Sequence, residues 1–190
     1  MYELIILSLL MRWPAHGYLI AKIINDMIGP YAKMSNGRLY PLLAKLEHDG
    51  LIVAMINEDG PHIHKGERQL RSYSITEEGR KRFHQLMLDT TSNPGDYQRI
   101  FHQKVPAFRF LQSAERLYLI EHYINYCQAH ISHLHTESND FELNAPQWWQ
   151  PNEMHATLHL MKHTIDQWQL EIDWVKELRE QEIALNTNHY

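Results

Sequence analysis

Cysteine is nearly absent from this chain: Cys127 is the single one in 190 residues. One thiol excludes an internal disulfide, and such sparing use fits a reducing cytoplasm. Long apolar runs are missing as well. The N-terminal stretch Leu4–Met11 is too short to span a bilayer, and Glu3 stands where a secretory signal would carry positive charge. The chain therefore reads as cytoplasmic, with no membrane partner. A positive balance is lacking too: the net charge is −5, so bulk charge gives no hint of a polyanionic partner. Glycine is scarce late in the chain, with seven of the eight before residue 93. Turns should crowd the first half, and long uninterrupted helices should fill the second. No internal repeat and no low-complexity run is present.

The charge that exists is unevenly placed. Residues 1–92 hold 11 Lys and Arg against 10 Asp and Glu, whereas residues 93–190 hold 7 against 13. A site for a polyanion therefore belongs in the first half. A hydrophobic content of 44% supports a packed core, and the length allows one large domain or two small ones.

Periodicity supplies the elements. Residues 2–11 read as an apolar helix, broken by Pro14, His16 and Gly17. Tyr18, Ile20, Ala21, Ile24, Met27 and Ile28 keep helical spacing up to Gly29-Pro30, which ends the second helix. A third helix follows Ser35 or Asn36 as N-cap. Pro41 is tolerated only in a first turn, which puts its start near Gly37. Leu51–Ile56 is rich in β-branched residues and reads as a strand. Asn57–Pro61 is a turn, its polar tip runs through His62, His64, Lys65 and Gly66, and Gln69–Ile75 is the return strand. Thr76 caps another helix, with Glu77 and Glu78 suited to its first turn. Ser92-Asn93-Pro94-Gly95 is the best linker, which divides the chain into residues 1–92 and 96–190. Beyond it, Leu117, Ile120, Ile124, Cys127, Ile131 and Leu134 form one heptad-like seam, and Met154, Leu158, Met161, Ile165, Trp168, Ile172 and Val175 another. The proline-flanked Pro146–Pro151 joins them. The fold class is mainly α with a small β component (α+β): three helices, a hairpin and a helix, then a long-helix domain.

The third helix carries the functional signal. Leu39, Leu42, Leu43 and Leu46 lie at i, i+3, i+4 and i+7 and make one apolar stripe. Arg38, Tyr40, Lys45 and His48 stay off that stripe, and Gly50 sits where a helix C-terminal glycine belongs. A basic, tyrosine-bearing helix followed by a hairpin is what a winged helix-turn-helix offers to the major groove of double-stranded DNA. Arg38 and Tyr40 are candidates for reading bases, with Lys45 beside them. Ser35 and Asn36 stand at a helix N-terminus, where free N–H groups favour phosphate. Lys65, Arg68 and Arg71 would bring the hairpin to the sugar-phosphate backbone.

The first half also resembles the PadR family of bacterial transcriptional regulators. The matching segments are Leu7–Leu10, His16–Ile20, Gly37–Leu43, Leu46–Ile52 and Arg71–Arg80, in that order along the chain. The two-helix second half resembles, in architecture alone, the larger PadR branch of phenolic-acid-responsive repressors and AphA-like virulence activators. The resemblance implies a DNA-binding winged helix, a homodimer paired through the C-terminal helices, and no catalysis. In one respect the chain departs from the family: Arg38 occupies a position usually held by a small Ser or Thr, so a long cation stands at the base-facing end of the helix.

The resemblance makes a repressor released by a phenolic acid the most concrete function, with a ligand-independent activator as the alternative. Aromatic pockets suit flat organic ligands. Tyr118, Tyr123, Tyr126, Trp148 and Trp149 are the candidate pool, and Arg109 or Arg116 would take the carboxylate. The bland reading of these aromatics is core or dimer packing. Fourteen histidines invite a metal reading: His155, His159 and His163 share a helix face, and two histidines at i and i+4 can hold zinc. No cysteine or carboxylate completes a compact set, so no metal and no cofactor is expected. A helical protein-interaction or metal-sensing module is the alternative outside the regulator class. No nucleophile motif accompanies the histidines, and Cys127 falls on an apolar seam.

Overall fold

The computed structural model describes residues 1–29, 33–56 and 71–187. The chain divides into two compact units, Met1–Ala107 and Phe108–Tyr190.

In the first unit, α1 (Tyr2–Leu10) is apolar nearly all round and is accordingly buried nearly all round, from Leu4 to Leu7 and at Leu9 and Leu10. A two-residue strand, β1 (Ala15–His16), leads into α2 (Gly17–Ile28). His16 caps α2, its Nδ1 accepting a hydrogen bond from the Leu19 N–H at 3.1 Å. Then come α3 (Asn36–His48), β2 (Ile52–Ile56), β3 (Arg71–Ile75) and α4 (Glu77–Leu88). The strands form one antiparallel sheet in the order β1-β3-β2, with Ala15 opposite Tyr73 and Ala54 opposite Tyr73 on the other side. This is a winged helix-turn-helix.

Two glycines set the geometry where α3 gives way to the sheet. Gly50 has φ +71°. Its N–H bonds the Glu47 carbonyl at 3.0 Å, and the Leu51 N–H bonds the Leu46 carbonyl at 2.9 Å, a Schellman ending. Gly79 lets α4 press against the same corner, since a Cβ there would lie 2.0 Å from the Leu51 carbonyl oxygen. Thr76 ties the two together. Its hydroxyl accepts from the Gly79 N–H at 3.0 Å and donates to the Gly50 carbonyl at 2.7 Å.

The structure differs from the sequence expectation in three places. The α3 helix begins at Asn36, so Pro41 lies beyond its first turn and leaves the Gly37 carbonyl without an i+4 donor. β1 is too short to show periodicity. Ser92–Gly95 does not separate the units, which divide at Ala107 and Phe108, so the expected boundary at 92–96 falls inside the first. The Asp89 carboxylate accepts hydrogen bonds from the N–H groups of Thr91 and Ser92 at 3.0 Å each, which closes this stretch into a turn. A 3-10 turn (Pro94–Asp96) then leads into α5 (Tyr97–Lys104), which buries Tyr97, Phe101 and Lys104.

The second unit is a hairpin of two long helices, α6 (Ser113–Asn144) and α7 (Pro151–Thr187). They run antiparallel, because partners descend along α7 as they ascend along α6: Arg116 with Glu182, Tyr123 with Glu171, His130 with Trp168, Phe141 with Trp149. The seams are buried only at one end, through Ile120, Ile124, Cys127, Ile172 and Val175. Toward the Pro146–Pro151 connection, Ile131, Leu134, Met154, Leu158, Met161 and Ile165 are only half-buried. Among the described residues no helix is long and apolar enough to cross a membrane.

Candidate nucleic-acid interface

The α3 helix buries Leu39, Leu43 and Leu46, half-buries Leu42 and Glu47, and exposes the rest of its circumference. Successive residues advance about 100°, so Pro41, Ala44, Lys45 and His48 form the outer ridge. Arg38 and Tyr40 leave the helix about 160° apart, on opposite flanks. The Arg38 guanidinium leans over the Tyr2 ring of α1, 5.7 Å from its centroid. On the other flank the Tyr40 ring lies against Gly17 at the start of α2, within 3.0 Å of where a Cβ would be. The sequence placed both residues on one partner-facing surface; the structure puts them at its two edges, with Lys45 and His48 between.

Ser35 occupies the N-cap position with extended backbone, yet its hydroxyl makes no capping bond. The Arg38 N–H turns back to the Ser35 carbonyl at 3.0 Å, so of the first N–H groups of α3 only those of Asn36 and Gly37 can meet an anion. Asn36 is exposed beside them. A groove adjoins this end, lined by Tyr18, Lys22, Asp26, Lys33, Ser35 and Asn36. Tyr18, Lys22 and Lys33 were not picked out from sequence. Tyr18 and Lys22 stand at i and i+4 on α2 and are both exposed, Tyr18 to 68%; that spacing was the available signal.

In the wing, Arg71 bonds Glu47 on α3 at 2.9 Å and lies 6.0 Å from the Tyr73 ring centroid. Its charge is thus partly answered within the protein. Burial is the main reason that the Tyr73 phenol is pushed up. Lys65, Arg68 and the histidines at the wing tip fall in 57–70, outside the described residues.

The aromatic pool of the second unit does not converge on one pocket. Tyr123 is fully buried and its hydroxyl donates to Glu171 at 2.6 Å; burial foremost raises its pKa far above the usual phenol range. Tyr126 packs with Tyr123, His130 and Trp168, whose rings His130 and Trp168 stack 4.3 Å apart. Trp148 stacks on Trp149, which meets Phe141 edge-on. Phe141 is 15 residues along α6 from Tyr126, about 22 Å. Tyr118 is separately exposed. Arg116 is no free cation: it donates to Glu182 and to the Leu111 carbonyl, each at 2.6 Å. Arg109 is exposed and covers the Phe110 ring. His155 and His159 stack 6.3 Å apart, and among the described residues no three His, Cys, Asp or Glu side chains form a group able to hold a metal ion.

Residues 6–85 match the transcriptional regulator PadR-like family. Solved structures similar to the chain include Bacillus subtilis PadR in complex with operator DNA, at 19% identity over 95% of this chain and 98% of that one, with a TM-score of 0.41. The same protein in complex with p-coumaric acid gives 19% identity, 95% and 97% coverage, and a TM-score of 0.39. The Vibrio cholerae virulence activator AphA gives 22%, 97% and 99%, and 0.37. No curated protein matches the sequence. The matched residues take in the helix-turn-helix, both wing strands and most of α4.

Proposed function

We propose that this protein is a homodimeric regulator that docks the outer ridge of α3 in the major groove of an operator. The observation that carries this is the division of α3 itself. Leu39, Leu43 and Leu46 are sealed in the core, while Lys45 and His48 stand exposed between Arg38 and Tyr40. Ser35, Asn36, Lys22, Lys33 and Tyr18 supply phosphate contacts at its N-terminal end, and Lys65, Arg68 and Arg71 supply the wing's. The half-buried seams of α6 and α7 offer a second copy an apolar surface, and a two-fold interface between identical faces is the natural use. The finer reading is a repressor released by a small aromatic acid.

The test is titration of the promoter-region DNA at rising salt. Affinity should fall linearly on a double-logarithmic plot, with a slope near −0.9 for each phosphate neutralised. Arg38→Ala should cost about 1–3 kcal/mol if the guanidinium takes a guanine edge, whereas Lys45→Ala should weaken all sequences alike if it meets phosphate. No salt-sensitive affinity would overturn the reading. Sedimentation at micromolar concentration should give a dimer.

A further inference from the structure

Most of α6, the connection and the first turns of α7 are acidic and rich in imidazole. No Lys or Arg stands between Arg116 and Lys162, against Glu121, Glu137, Asp140, Glu142 and Glu153. Such a stretch holds a negative potential and concentrates cations near it. On α7, His155 and His159 stand one turn apart, their rings 6.3 Å from centroid to centroid and within 22° of parallel. His163 follows one turn later, and all three are exposed. Among the described residues their imidazoles make no hydrogen bond and no ion pair.

The pair faces away from α6. Trp168 stacks on His130 of α6, and nine residues of helix set His159 about 180° round α7 from it. Leu170, exposed to 71%, leaves the helix within about 20° of His159. This outer face is thus apolar in part, and α6 does not cover it.

Imidazole suits zinc, copper and nickel, whereas magnesium and calcium take oxygen ligands. Two imidazoles on one tetrahedral zinc, with nitrogens at about 2.1 Å, hold their ring centroids about 5 Å apart. The rings of His155 and His159 reach that spacing by closing about 1 Å. His163 does not join them on one ion, since eight residues of helix put it about 12 Å from His155. One chain therefore fills two of the four positions that zinc takes. An identical pair from a second copy fills the other two, and a two-fold axis through the ion brings the pairs together.

We propose that His155 and His159 of two copies hold one late first-row divalent metal ion, zinc above all, between the outer faces of their α7 helices. Leu170 gives the second copy apolar surface to cover on the same face. The site needs a second copy and no DNA, so it goes beyond the operator reading and does not depend on it.

The test uses the full-length protein, stripped with EDTA and titrated with zinc chloride by calorimetry in magnesium-containing buffer. His155→Gln and His159→Gln change exposed side chains, and circular dichroism checks that the fold survives. Each should weaken zinc about tenfold or more, because even outer-shell partners are worth that much. His163→Gln should leave it unchanged. The binding lost on His159→Gln should amount to one ion per two chains, whatever histidines elsewhere take up. In sedimentation zinc should strengthen association of the wild type and not of His159→Gln, and EDTA should reverse it. Zinc binding that survives His159→Gln, that His163→Gln removes, or that counts one ion per chain overturns the proposal, as does no saturable binding. Operator affinity on the same sample separates the two readings. DNA binding without zinc binding defeats the metal site alone, and zinc binding without DNA binding defeats the regulator alone.

Discussion

Among the arginine–glutamate pairs of the two units, one from each serves an opposite end. In the first unit Arg71 and Glu47 meet at 2.9 Å with their side chains 57% and 29% exposed. In the second, Arg116 and Glu182 meet at 2.6 Å with 20% and 9% exposed. The difference follows from how each unit makes its core. The first closes around Leu7, Ile20, Leu39, Phe83, Met87 and Phe101, all at 1% exposure or less, and can leave charged side chains on its surface for a partner. The second has only two helices, each with a single apolar stripe. It closes at one end, where polar groups fasten the helices together, and leaves Leu143, Trp148, Leu160 and Leu170 more than 60% exposed.

The largest predicted effect tests that fastening. Arg116 holds Glu182 on α7 and the Leu111 carbonyl ahead of α6, while Ser113 donates to the same Glu182 oxygen at 3.0 Å. Arg116→Met leaves a buried carboxylate without its cation, which costs about 3–5 kcal/mol. Adding Glu182→Leu removes the stranded charge and should restore most of the loss. Four of the five tryptophans lie beyond residue 147, so thermal unfolding followed by fluorescence reports this unit. A single variant as stable as the wild type would mean that the pair fastens nothing. It would also return Arg116 to the pool of cations available to a ligand.

Next in size are two pH effects of opposite sign. Lys104, in the first unit, is fully buried, its amine donating to the Asp89 carbonyl; desolvation lowers its pKa to about 8, against the nearby Asp89 charge. Below pH 8 both folded and unfolded chains are protonated, and folding carries the burial cost. Between about 8 and the ordinary 10.5 the unfolded chain holds the proton that the folded one has released. Stability therefore rises with pH across that window, by about 3 kcal/mol. In the second unit, burial pushes the Cys127 thiol up to about 12 from 9. There the unfolded chain ionises first, so stability falls as pH rises from 9 toward 12, by about 4 kcal/mol. Urea unfolding of Lys104→Met and Cys127→Ala against wild type from pH 7 to 10, below the range where Tyr123 adds its own fall, should abolish the rise and the fall respectively. A slope of the same sign for both variants would break the contrast between the units.

How much of this was legible in the sequence depends on period and length. The α3 stripe, the Gly50 ending and the Thr76 cap were legible because each is a local pattern with a local cause. The seams of α6 and α7 were legible because six and seven apolar positions in turn keep the 3-4 spacing. β1 and α5 were not: two residues carry no period, and the eight of α5 include a buried lysine that a pattern of polarity places outside. Asp89 closing the Ser92–Gly95 stretch is a side-chain event that composition reads as linker. The flanking of Arg38 and Tyr40 by α1 and α2 is tertiary, as is the burial of Tyr123 and Arg116.

The smallest predicted effect on stability concerns the exposed pair, and it separates the two units most directly. Exposed ion pairs contribute about 0.2–1 kcal/mol, so Glu47→Gln should leave unfolding nearly unchanged. Its effect should fall on binding instead. Removing the carboxylate deletes a negative charge beside the α3 ridge and frees the Arg71 guanidinium, now held at 2.9 Å. Affinity for promoter DNA should rise a few-fold, and the salt slope should steepen by up to about 0.9 if Arg71 gains one phosphate. Arg71→Ala should accordingly cost more in the Glu47→Gln background than in wild type, a coupling that a double-mutant cycle measures. If Glu47→Gln changes stability but not affinity or slope, Arg71 braces α3 against the wing, as Arg116 braces α6 against α7. The wing's DNA contacts would then have to come from residues 57–70.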